Sequence, residues 1–238
     1  MLGHIMRMAN VAAAAALAMG VITMSTARAQ DAFAYVVTYI ETMPAAEKQA
    51  SDLIRSYASA GRDAASNLRF DALQRIDRPN QFALVTAWKD QKAAEAYAAA
   101  DATKQFRDKL QPLLSAPVDE RPHTGLEVAS NEVVGAIPRD RKGVIYVVTH
   151  VDLIPPKKDD GIAALKEVIT PSRADSGNLR YELLQQASRP NHLTLVEIWR
   201  DRPALEGHEV SAHIRKLRDT LLPMGGALYD QRLYSAMD

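Results

Sequence analysis

Four histidines in the second half of the chain stand where the first half has neutral residues. A shift of 111 positions places His150, His192, His208 and His213 on Tyr39, Gln81, Tyr97 and Ala102. Glu197 is likewise matched by Thr86. A histidine beside a carboxylate can act as general acid or base near neutral pH, because the imidazole pKa is about 6.5. The titratable side chains therefore predict that acid–base chemistry is confined to the second half.

Alternation along two predicted strands selects side chains that share a face. Tyr146 and His150 lie on one side of the strand 144–151, and Glu197 and Trp199 lie on one side of a later strand. If both sides belong to the uncovered face of the sheet, a histidine, a carboxylate and an indole project into one cavity. The indole would supply a flat apolar wall for an aromatic substrate. The equally weighted alternative is a structural ion pair of Glu197 with Arg180.

The spacing of the remaining candidates does not indicate a cofactor. His208 and His213 are five residues apart, which misses the i, i+4 spacing of a helical metal-binding pair, so one of them is predicted at the surface. His192 is adjacent to a turn and is predicted to be solvated. The chain has no cysteine, no Gly-rich phosphate loop and no dinucleotide fingerprint. We therefore expect neither a metal nor an organic cofactor.

The predicted strands and helices that position these residues occur twice in the sequence. Residues 67–90 and 178–201 each read as strand, turn and strand, and 12 of their 24 aligned positions are identical at the shift of 111 (178 − 67). The same register holds without a gap outside this window, from Tyr35 on Tyr146 to Arg121 on Arg232. Two copies at so long a period indicate a duplicated domain.

Each copy reads β-α-β-β-α-β, which is the ferredoxin-like arrangement, and we assign the chain to the α+β class. Helices cover one face of such a sheet, and the bare face must be buried against something. Two copies in one chain can bury their bare faces together as an intramolecular pseudo-dimer. The predicted boundaries are 30–122 for the first copy, 123–143 for a linker and 144–238 for the second copy.

The N-terminal residues 1–29 read as a cleavable secretory signal. Arg7 makes the N-terminal region positively charged, residues 11–22 form an apolar run, and Ala27-Arg28-Ala29 fits an A-x-A cleavage site. We therefore expect a periplasmic or secreted protein that is not held by a membrane after cleavage. Lys+Arg 29 balance Asp+Glu 29, so the basic surface of a nucleic-acid-binding protein is not predicted.

The second copy resembles the antibiotic biosynthesis monooxygenase family. The residues that carry the resemblance are NLRYELLQ, RPN and LVEIW, followed by His208, Ser211 and His213, and the opening VVTHVDLIPP is similar to a quinol monooxygenase branch. The resemblance implies a dimeric α+β barrel. It also implies oxidation of phenols, quinols or anthrone-like aromatics by O₂ without metal or flavin. His208 and Arg218 stand where haem-degrading relatives carry tryptophan and histidine, which disfavours that branch.

Together these features predict a cofactor-independent monooxygenase with a small aromatic substrate and O₂ as co-substrate. His150 would be the base, supported by Glu197, with His208 as an auxiliary donor. The predicted substrate-binding residues are Trp199, Tyr181, Tyr146 and His213. The first copy would be a scaffold. The rival hypothesis is a non-catalytic module that binds an aromatic ligand, and a third is another cofactor-free reaction such as isomerisation or decarboxylation.

Overall fold

A computed structural model of the 238-residue chain describes residues 33–128, 141–227 and 229–237. The predicted signal peptide and residues 129–140 of the predicted linker lie outside these ranges. Within them, no helix combines the length and the apolar character needed to cross a membrane.

The elements of the first half follow the predicted order. They are β1 (Ala34–Glu41), α1 (Glu47–Arg62), β2 (Asn67–Arg75), β3 (Gln81–Trp88), α2 (Gln91–Ala99), α3 (Asp101–Leu110) and β4 (Asp119–Glu127). The carboxylate of Asp90 accepts a hydrogen bond from the backbone N–H of Ala93, 2.8 Å away, and so caps α2. The predicted linker began too early, because residues 123–127 continue β4. That strand is long because it pairs with a neighbour on each side.

The second half repeats this order with one extra helix break. Its elements are β5 (Ile145–Asp152), α4 (Lys158–Glu167), α5 (Ile169–Ala174), β6 (Asn178–Gln186), β7 (His192–Trp199), α6 (Arg202–Glu209), α7 (Ala212–Leu221) and β8 (Asp230–Ala236). Asp201 and Ser211 cap α6 and α7 through their side-chain oxygens, which accept hydrogen bonds from backbone N–H groups.

The eight strands close into one barrel in the order β1-β3-β2-β8-β5-β7-β6-β4. Each half contributes four consecutive strands of this order in the ferredoxin-like arrangement. Antiparallel pairing of β2 with β8 and of β4 with β6 joins the halves. The predicted intramolecular packing of two ferredoxin-like units is therefore confirmed. Closure also pairs the edge strands that an isolated half would expose.

Alternation along the strands divides the buried side chains into an interior core and two outer cores. Tyr35, Val37, Tyr146 and Val148 belong to the core inside the barrel, where the bare faces of the two sheets meet. The opposite face of each sheet packs against the helices of its own half. A side chain on a strand therefore has one of two surroundings, which its parity decides.

Charged residues related by the repeat form an ionic network inside the barrel. Arg69 lies 2.5 Å from a carboxylate oxygen of Asp71 and 2.5 Å from one of Glu182, which belongs to the other half. Arg180 lies 3.7 Å from Glu182, and Arg141 lies 3.0 Å from Asp71. Arg180 thus pairs with Glu182, and the alternative ion pair of Arg180 with Glu197 is not formed.

Candidate functional site

The register between β5 and β7 places His150 and Glu197 on opposite faces of the sheet. Val147 lies opposite Glu197, and His150 lies opposite Thr194. Val147 belongs to the outer core beneath the helices, so Glu197 also faces the helices. His150 shares its parity with Tyr146 and therefore faces the barrel interior. The predicted site that joined His150 to Glu197 and Trp199 is wrong.

His150 and Tyr146 instead contact other residues of the barrel interior. Nε2 of His150 lies 3.1 Å from Nδ1 of His192, a residue predicted to be solvated. Burial, and then the charge of Arg121, lower the pKa of His150 to about 4. The hydroxyl of Tyr146 accepts a hydrogen bond from Nη1 of Arg141 at 3.1 Å. Neither residue lies with the other five predicted site residues.

The helix-covered face of the second sheet carries a contiguous group that we call the His208 cluster: Asp175, Glu197, Trp199, His208 and His213. Nδ1 of His208 lies 2.7 Å from Oδ2 of Asp175, and Nε2 lies 3.6 Å from Oε2 of Glu197. The indole Nε1 of Trp199 donates to the same Oε2 at 3.0 Å. Nε2 of His213 lies 3.1 Å from Oδ2 of Asp175. The imidazole of His208 thus links two carboxylates.

An interruption of the helix brings His208 and His213 together. α6 ends at Glu209, and α7 begins after Ser211, whose hydroxyl accepts from the backbone N–H of Ile214 at 3.4 Å. The two imidazole rings are 5.6 Å apart. The prediction that their five-residue spacing separates the two histidines is wrong, because the helix is interrupted between them.

Burial shifts the pKa values of Glu197 and His208 in opposite directions. Glu197 is 3% exposed, and burial raises the pKa of its carboxyl to about 7 against the opposing hydrogen bond from Trp199. Burial lowers the pKa of His208, while Asp175 acts in the opposite direction. The cluster can therefore accept or release a proton near neutral pH, as an acid–base catalyst requires.

Aromatic rings form the walls around His208. The ring of Trp199 lies 4.4 Å from that of His208 at an angle of 34°, and the ring of Tyr181 lies 5.6 Å away. Burial raises the pKa of Tyr181, so its phenol stays neutral in the working pH range. An open recess of about 400 Å³, lined in part by Asp175, Gly207 and His208, connects the cluster with solvent.

Three ligand-type atoms of the cluster also have the spacing of a metal site. One atom each from Asp175, His208 and His213 lies within 4.8 Å of the others. Two histidines and one carboxylate can bind a first-row transition metal. The contacts of Asp175 with both imidazoles already give these atoms hydrogen-bonding partners without a metal.

Comparison with known proteins identifies the family. The sequence profile described as "Antibiotic biosynthesis monooxygenase" matches residues 33–109 and again residues 144–220. The chain belongs to this family. The predicted family is therefore confirmed, and the profile matches both copies. Membership in a monooxygenase family also supports the prediction of an oxidoreductase.

Two curated relatives each match a stretch about as long as one repeat. A Bacillus subtilis protein named "Putative monooxygenase YcnE" is 25% identical over 72 residues, which are 30% of this chain and 76% of the relative. An uncharacterized Synechocystis protein is 32% identical over 76 residues, which are 31% of this chain and 52% of the relative.

Solved structures match the whole two-repeat barrel. A "Putative monooxygenase" from Fusobacterium nucleatum has a TM-score of 0.73 at 13% identity and covers 87% of this chain and 93% of its own. An "anthrone oxidase-like protein" has a TM-score of 0.66 at 14% identity, covering 87% of this chain and 92% of its own. At these identities the likeness shows that the fold is shared.

Asp175 is the one member of the His208 cluster that the site prediction missed. It lies between α5 and β6, in a connection without a recognisable motif. The comparison between repeats contains the signal, because the shift of 111 places Asp175 on Ala64. In this family member the first half thus has alanine, threonine and tyrosine where the second half has Asp175, Glu197 and His208. The acid–base groups of the cluster occur in one repeat only.

Proposed function

We propose that the chain is a cofactor-independent monooxygenase that oxidises a small phenolic, quinol or polycyclic aromatic substrate with O₂ at the His208 cluster. The predicted signal sequence extends the proposal to an exported enzyme, periplasmic or secreted. The observation that carries the proposal is the chain of contacts from Asp175 through His208 to Glu197. It supplies a proton acceptor beside aromatic walls, and a recess gives it access to solvent.

The chemistry that this arrangement supports begins with proton removal. The substrate donates its hydroxyl or activated C–H proton to the Asp175–His208 pair, and Glu197 can hold a proton on the far side of the imidazole. The resulting electron-rich anion reduces O₂. One oxygen atom of O₂ then enters the substrate, and the other leaves as water with two substrate hydrogens. The protein supplies the base, the orientation and an apolar wall, and O₂ is the oxidant.

The roles of the predicted residues change accordingly. His208 becomes the base in place of His150, with Asp175 and Glu197 as its proton-exchanging partners. Trp199 and Tyr181 are fully buried, do not line the recess, and pack against the ring of His208, while His213 supports Asp175. His150 and Tyr146 belong to the barrel interior and receive no role in turnover.

The test is O₂ uptake by the purified chain with a panel of hydroquinones, naphthols and anthrones in the presence of a chelator. The likeness in fold to an anthrone oxidase-like protein is the reason for including anthrones. We expect uptake that survives chelation. His208→Gln should lower kcat at least about 100-fold, the lower range for removing a general base. The matched change in the first half, Tyr97→Phe, and the interior change His150→Ala should each leave kcat within about 3-fold of the original value.

The outcomes separate this proposal from its rivals. Turnover that is lost in His150→Ala but kept in His208→Gln would contradict the assignment of the base. Saturable binding of the panel without O₂ uptake would favour a non-catalytic aromatic-binding module. Conversion of the substrate without O₂ uptake would favour isomerisation or decarboxylation.

A further inference from the structure

The first half contains a cavity of about 480 Å³ between its sheet and its helices. Five aromatic side chains contribute to its walls: Tyr57, Phe70, Trp88, Tyr97 and Phe106. The cavity lies in the repeat that lacks the acid–base groups. A volume of this size is within the range of small-molecule sites, which are typically about 300–1,000 Å³.

The aromatic rings that line this cavity also pack on one another in pairs. The rings of Tyr57 and Phe106 are stacked, with centroids 3.9 Å apart and an angle of 6° between their planes. The rings of Trp88 and Tyr97 are 4.5 Å apart at 32°. Flat walls of this kind favour a planar ring system, which can stack on one wall and meet another edge-on.

Most polar side chains of the walls carry a neutral hydroxyl or amide group. Trp88 donates through Nε1 to Oγ1 of Thr86 at 3.0 Å, in the place where Trp199 donates to a carboxylate. The charged lining residues, Arg107 and Glu120, are about half exposed and lie 3.1 Å from each other. A charged ligand would therefore lose solvation inside the cavity without gaining a buried partner, which favours a neutral ligand.

We propose that this cavity binds a neutral, planar aromatic molecule, of the size of a two- or three-ring quinone or phenol, and does not deprotonate it. The first half is then a ligand-binding domain and not only a scaffold. This inference does not depend on turnover in the second half.

The two tryptophans make the test direct, since Trp88 lines the cavity and Trp199 belongs to the His208 cluster. In a Trp199→Phe variant, Trp88 is the only tryptophan. We would titrate this variant with 1,4-naphthoquinone and follow quenching of the Trp88 fluorescence. Because the chain has no cysteine, the quinone cannot form thiol adducts. We expect saturable quenching with one site per chain.

Two further changes in the Trp199→Phe background locate the site. Ala94→Phe places a ring into the cavity that Ala94 lines. Val118→Tyr changes a partly exposed lining residue, and it copies the second half, where Tyr229 corresponds to Val118 and its hydroxyl lies near Thr149. Each change should weaken binding and so raise the apparent Kd for naphthoquinone at least tenfold. Because Val118 is at the surface, its variant serves if the Ala94 variant does not fold.

The reciprocal variant Trp88→Phe retains only Trp199, so any quenching that it shows reports the His208 cluster and should be unchanged by Val118→Tyr. Quenching that rises linearly with naphthoquinone in the Trp199→Phe variant would overturn the proposal, since collisional quenching does not saturate. Saturable quenching that Val118→Tyr leaves unchanged would also overturn it. Neither result depends on O₂ uptake, so failure of this site and failure of the proposed monooxygenase reaction are distinguishable.

Discussion

Replacing Glu197 by glutamine should make the stability of the protein less dependent on pH. The side chain is 3% exposed, and burial raises the pKa of its carboxyl to about 7 from an ordinary value of 4.5. Below pH 4.5 the group is protonated in both the folded and the unfolded chain and contributes no difference. As the pH rises, the unfolded chain loses this proton first, so the folded state loses stability until the pH passes about 7.

The size of this loss follows from the difference between the two pKa values. A tenfold change in proton affinity corresponds to about 1.4 kcal/mol. The difference of 2.5 between about 7 and 4.5 therefore corresponds to roughly 3 kcal/mol of unfolding free energy at pH 8. Glu197→Gln removes the titration but keeps the shape of the side chain. Relative to the original protein, the variant should gain roughly 3 kcal/mol between pH 4 and pH 8.

Urea unfolding from pH 4 to pH 8, followed by circular dichroism, measures this difference directly. The control is Glu206→Gln, which removes an exposed carboxylate from α6. Its unfolding free energy should run parallel to that of the original protein. If the Glu197→Gln curve also runs parallel, the carboxyl of Glu197 does not titrate near neutral pH. The proton-storage role proposed for it would then be refuted.

Two further predictions concern the barrel. Arg69→Met should destabilise the protein by roughly 3–5 kcal/mol in urea unfolding, because it leaves the buried carboxylates of Asp71 and Glu182 without their shared partner. Arg55→Met, at a surface pair, should cost less than about 1 kcal/mol, and equal effects of both changes would contradict a stabilising network. The second half expressed alone as residues 144–237 should form a homodimer in sedimentation experiments, because its bare face and two strand edges lose their partners. A stable monomer would show that barrel closure is not required for folding.

The fold was predictable because its signals are local and occur twice. The strand starting at Ala34, the turn around Pro190 and the caps at Asp201 and Ser211 each depend on a few neighbouring residues. The repeat then shows that both halves use the same topology. The start of the linker at residue 123 was predicted wrongly because residues 123–127 have weak strand signals in the sequence. They form a strand because they pair with β1 and β6.

The membership of the candidate site was only partly predictable. Glu197, Trp199, His208, His213 and Tyr181 were selected because they distinguish the second copy or line its strands, and the structure brings these five together. His150 was selected by the same criterion and lies on the other face. Asp175 was missed, although its replacement by alanine in the first copy marks it in the same way.

The sequence by itself determined the duplication, the α+β class, the order of the elements and the repeat in which titratable residues accumulate. These properties depend on the types and spacing of residues along one segment. The tertiary structure decided which of those residues meet. The alternation of side chains along one strand predicts which of them share a face. Whether residues on β5 and β7 lie on the same face of the sheet depends on the register between the two strands.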